Sequence, residues 1–173
     1  MTRLTTVSVA LLLVAASAFV PAANAASQPE HEHAHDTGAA LVSKLELDQG
    51  KPWPTDAALR EGMAAIRNAF DADHGRIHAG EQTDAQYDAL AARIETQVDG
   101  IVAACKLPAA ADTQLHYVVG DLLQGVALMR GQDPAQSRHA GAARVHGALL
   151  AYPEYFDDPA WRSGSDPAPG HEH

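Results

Sequence analysis

TDAQYDALAARIETQVDGIVAAC, residues 83–105, spells out a helix from its cap to its buried stripe. Thr83-Asp84-Ala85-Gln86 is a capping box, in which a threonine hydroxyl and a glutamine side chain satisfy each other's orphan backbone N–H groups. Tyr87, Leu90, Ile94, Val98, Ile101 and Cys105 then recur at steps of three and four, which lines them up on one helical face. On this spacing Cys105 lies toward the core, where a free cysteine is ordinarily inert.

Three more segments with the same rhythm surround it. Upstream, Thr55 to Ala79 carries Leu59, Met63, Ile66, Phe70 and Ile77, with Thr55 as the expected N-cap and Gly80 as the stop. Downstream, a helix after Pro108 carries Leu115, Val118, Val119, Leu122, Val126 and Met129 and closes at Gly131. A fourth is expected to open at Asp133-Pro134 and to carry Ala142, Val145, Leu149 and Tyr152 until Pro153 ends it. No segment has strand period. Short links between helices of matched length call for antiparallel neighbours. The expected fold is all-α, an antiparallel up-down-up-down four-helix bundle over 55–153, with disordered N- and C-terminal tails.

The flanks read differently. Residues 1–25 have the form of a secretory signal peptide: Arg3, an apolar run from Val7 to Val20, and Ala23-Asn24-Ala25 before the cut. The apolar run is short for a bilayer span, which takes roughly 20 residues. Export to a periplasm, or secretion, is therefore expected, with no membrane span left after the cut. Residues 26–38 are polar and expected to be disordered. Residues 39–54 read as an extended arm along the bundle, and 154–173 as a flexible C-terminal tail.

Composition excludes several functions. The 173 residues hold 12 Lys+Arg against 22 Asp+Glu, a formal charge of −10, which is the wrong sign for gripping nucleic-acid phosphates. A single cysteine excludes an internal disulfide framework and a cysteine-rich zinc module. There is no CxxCH haem-attachment motif, Gly-rich phosphate loop, GxSxG or HExxH, so a non-enzymatic role is expected.

The stretch Leu45 to Arg67 (LELDQGKPWPTDAALREGMAAIR), with Cys105-Lys106-Leu107 and Leu115-His116-Tyr117-Val118, resembles a DnrO-like family of small exported proteobacterial proteins over residues 44–152. The architecture is similar to the cytochrome b562 and cytochrome c′ bundles. The resemblance implies export and a helical bundle; fold alone implies no activity.

Histidine carries the chemistry that remains. His31-Glu32-His33-Ala34-His35-Asp36 alternates three imidazoles with acidic groups, and His171 and His173 repeat the pattern at the other end. Imidazoles suit Zn(II), Cu(II) and Ni(II), and a pliant chain lets several rings converge on one ion. Such binding weakens below about pH 6.5, where free imidazole protonates. The competing account is a solubilising tail. On the bundle, His74 and His78 stand one turn apart and form a secondary metal pair, for which His116 is a third ligand only if the register permits. They can equally be a solvated helix face. The resemblance to b562 supplies an alternative: Met63 from the first helix and His146 from the fourth, at similar heights to within roughly a turn, as axial ligands of haem b. Otherwise Met63 is core filler and His146 a boundary residue, and His139 is a variant of the haem ligand or a wide surface pair with His146. A third alternative is a protein-interaction module without cofactor.

Overall fold

The computed structural model describes residues 40–163, apart from the side chains of Arg162 and Ser163. The expected signal peptide, the tail over 26–38 and residues 164–173 lie outside the described residues, and with them His31, His33, His35, His171 and His173.

Four long helices make up the described chain: α1 (Ala57–His78), α2 (Asp84–Ala104), α3 (Ala109–Met129) and α4 (Arg138–Tyr155), followed by the short α5 (Pro159–Ser163). The described residues form no strand, only the isolated bridges Asp48–Lys51 and Trp53–Phe156. The capping box of α2 forms as its sequence requires: Thr83 N–H donates to Gln86 Oε1 at 2.8 Å and Gln86 N–H to Thr83 Oγ1 at 3.3 Å. Gly80 and Gly131 follow α1 and α3 at φ of +70° and +69°, a backbone state that disfavours other residues.

Two helix ends differ from expectation. The N-cap of α1 is Asp56, not Thr55: its carboxylate accepts from Leu59 N at 2.8 Å, while the Thr55 hydroxyl donates to Asp157 O. Helix α4 opens at Ser137, not Asp133, because Asp133 closes a separate turn by accepting from Ala135 N and Gln136 N. Pro153 lies inside α4 rather than ending it. Pro153 has no N–H to give the Leu149 carbonyl and so removes one rung of the ladder, but Tyr152 and Phe156, both fully buried, hold the last turn down.

The apolar stripes meet in one core. Leu59, Met63, Ile66 and Phe70 of α1 pack with Leu90, Ile94 and Val98 of α2, Val118 and Leu122 of α3, and Val145 and Tyr152 of α4. Val119 and Cys105 sit at its margin. Gly62, early in α1, lies against Ile101, late in α2; Asp73, late in α1, pairs with Arg93 in the middle of α2; and Gly125, late in α3, meets Gly141, early in α4. At the last of these the helices nearly touch backbone to backbone, and α3–α4 is the most extensive contact among the described helices.

The flanks are built in. Leu45 is buried, and Val42 N–H donates to Asp121 Oδ2 at 2.8 Å, so the arm binds α3. The segment after residue 154, expected to be a flexible tail, is packed as far as Trp161. That ring is 5 % exposed, meets Tyr152 edge-on at 5.0 Å and lies under the Arg67 guanidinium at 4.2 Å. The missed signal was a pair of aromatics, Phe156 and Trp161, inside a Pro- and Asp-rich stretch. No described helix is long and apolar enough to cross a membrane.

Candidate functional site, a histidine-lined groove between α1 and α4

Helical period places His74 and His78 on the edge of α1 beside the buried Phe70 and Ile77. It places His139 and His146, two turns apart, on the matching edge of α4 beside Ala142. The structure brings these two edges together. Phe70, His74, Ile77, His78, His139, Ala142, Ala143 and His146 line one open groove of about 190 Å³. Two alanines on the α4 side leave the room that larger side chains would fill.

The rings in it are close. His74 and His146 have centroids 5.4 Å apart across the helix pair, and His74 and His78 are 6.3 Å apart along α1. Phe70 lies beneath them, stacked on His146 at 5.3 Å and 13° and tilted to His74 at 5.8 Å. His74, His78 and His139 are exposed and His146 half-buried, so the ring nitrogens reach solvent. No Asp, Glu, Lys or Arg side chain lines the groove. Its chemistry is imidazole on an apolar floor, which favours transition-metal ions over hard cations. Among the described residues, no three such groups are already arranged around a common point.

The individual residues were visible in the sequence, but only as two separate pairs. Their convergence depends on the register of α1 against α4, which spacing along the chain does not give. Met63 takes no part: it is wholly buried in the core and does not line the groove that His146 borders.

His116 is distant in another sense. Its Nδ1 lies 2.7 Å from Asp112 O, and it lines a different groove, of about 270 Å³, with Ile101, Val102, Cys105, Asp112, Leu115 and Val119. Cys105 there is half-buried. Burial first, then the charge and hydrogen bond of Asp56, push its thiol up to about 11, so it stays protonated and unreactive. Asp56 itself is held below the usual aspartate range. Burial works to raise it but is outweighed by N–H donors from Leu59 and Lys106, the latter at 2.6 Å.

The buried carboxylates of Asp73, Asp121 and Asp158 are structural, the last accepting from Tyr152 OH and Trp161 N–H. Asp73 pairs with Arg76 and Arg93. Asp121, fully buried, accepts from Arg144 at 2.7 Å as well as from Val42.

Fold and site together define a helical protein with an imidazole-lined groove on the seam of its first and fourth helices. No family model, curated protein or solved structure matches the chain.

Proposed function

We propose that this is an exported, non-enzymatic helical protein that binds divalent transition-metal ions, Zn, Cu or Ni, through clustered imidazoles. The observation that carries it is the placement of its ten histidines. Five stand in the terminal runs (His31, His33, His35, His171, His173), four line the α1–α4 groove, and only His116 lies elsewhere. Random placement on a helical surface would scatter them. Clustered imidazoles are the donor set that late first-row ions prefer. The runs would gather ions through their alternating imidazoles, and the acidic charge of the molecule draws cations toward both clusters.

The test is metal analysis and an absorbance spectrum on untagged protein taken from its native compartment, followed by equilibrium titration with Zn2+, Cu2+ and Ni2+. A colourless protein that carries or takes up one of these ions at micromolar levels is the expected result. A Soret band that responds to dithionite would replace this reading with haem binding. Failure to bind any of the three ions would leave an interaction module.

A further inference from the structure

We infer that the α1–α4 groove is itself a defined metal site, in which His74, His78 and His146 share one late first-row divalent ion that clamps the first helix to the fourth. This rests on the metal-binding reading above but assigns the ion to the folded body rather than to the terminal histidine runs.

Geometry places His74 beside each of the other two rings. With a metal–nitrogen bond of about 2.1 Å, two imidazoles on one tetrahedral ion have ring centroids about 5 Å apart. The observed separations, 5.4 Å for His74–His146 and 6.3 Å for His74–His78, are already close to that value. Exposed side chains can turn their nitrogens inward by rotation about χ1 and χ2, without backbone movement. The i,i+4 pair on α1 supplies two donors from one rigid element, and His146 supplies the third from another. Phe70, stacked on His146 and tilted to His74, fixes where those rings can lie. His139 lines the same groove, and the fourth position on the ion falls to it or to water.

The groove also meets the electrostatic conditions. Neither lysine nor arginine lines it, so no resident cation competes for the position. No carboxylate lines it either, so Mg2+ and Ca2+, which need oxygen ligands, should not bind there.

Location gives the site a consequence. Helices α1 and α4 touch far less than α3 and α4 do. A ligand bound only by the folded form stabilises it more the tighter it binds, and here the ion would close a seam much less extensive than that of α3 and α4. Ions held by the terminal runs would bind folded and unfolded chains alike and leave the melting temperature unchanged.

Three full-length proteins distinguish these cases: wild type, a terminal variant (H31N, H33N, H35N, H171N, H173N) and a groove variant (H74Q, H78Q). The groove substitutions lie on exposed positions and leave the core intact, which far-ultraviolet circular dichroism checks. Each protein is melted without metal and with excess Zn2+, Ni2+ or Cu2+, and its stoichiometry is measured by equilibrium dialysis. With at least one of the ions, wild type and the terminal variant should melt about 5 °C or more higher, with one tight equivalent retained in the terminal variant. The groove variant should lose that rise and bind the remaining site at least about tenfold more weakly. If the rise persists in the groove variant, or no ion produces one in wild type, the groove site is overturned. Metal retained by wild type but lost entirely from the terminal variant overturns it too, while leaving the metal-binding function in place. No binding to wild type removes both.

Discussion

Asp56 shows how much one residue holds. Its two carboxylate oxygens cap α1 through Leu59 and accept Lys106 N–H just beyond α2, so one side chain fixes the start of one helix against the end of the next. Asp56→Ala should cost about 1–2 kcal/mol from the lost cap, read as a lower urea midpoint; a midpoint within error of wild type would refute this role. Its folded carboxyl binds a proton more weakly than the unfolded one. The stability it adds is therefore present above the ordinary aspartate range and is lost as pH falls through the lower folded value. Cys105 has the opposite sense. A thiol raised from 9.0 to about 11 has roughly a hundredfold less thiolate at pH 8 than the unfolded chain. Iodoacetamide should label the native protein far more slowly than the urea-unfolded one, and equal rates would show an accessible thiolate. Because the folded form keeps this proton longer, the linked stability is full below pH 9 and declines as pH rises toward 11.

At the level of the helices, the sequence was clearest where caps and stripes agreed. Every residue of the α1 stripe is buried, and the capping box of α2 forms as read. The start of α4 was obscure because Asp133-Pro134 and Ser137 both have the chemistry of a helix entry, and only packing chooses between them. The α3–α4 crossing was not legible at all, since a glycine says nothing about its neighbour. A Cβ at Gly141 would come within 2.6 Å of Gly125 O and of Met129 N, both backbone atoms that cannot swing aside. Gly141→Ala should therefore destabilise by about 1–3 kcal/mol or more. Gly147, on the same helix, has nothing within 4 Å of that position, and Gly147→Ala should stabilise by up to about 1 kcal/mol. Chemical denaturation of the two variants should give shifts of opposite sign; the same sign for both would mean that the helices do not cross as closely as described.

Across the whole molecule, buried polar links join what the apolar core leaves apart. Sequence periodicity located the core, but it could not show that an aspartate on α3 faces inward or that two distant histidine pairs share a groove, because both follow from how the helices are registered. Asp121 is fully buried and accepts from Val42 N in the arm and from Arg144 on α4, so arm, α3 and α4 meet at one carboxylate. Arg144 also donates to Gln124, which fixes its guanidinium from a second side. A buried charge whose partner is removed costs about 3–5 kcal/mol, whereas exchanging both partners for apolar groups can be nearly neutral. Arg144→Met should fall in that range. Asp121→Asn keeps an acceptor for Val42 and should cost less. The double variant Asp121→Leu/Arg144→Met should recover part of the loss, but not all of it, because the Val42 N–H is then left without its acceptor at about 1–3 kcal/mol. Hydrogen exchange separates the two roles: the Val42 amide should lose protection in the double variant and keep it in Asp121→Asn. Additive single and double effects, with Val42 protected throughout, would mean that the arm and α4 are held to α3 by something other than this carboxylate.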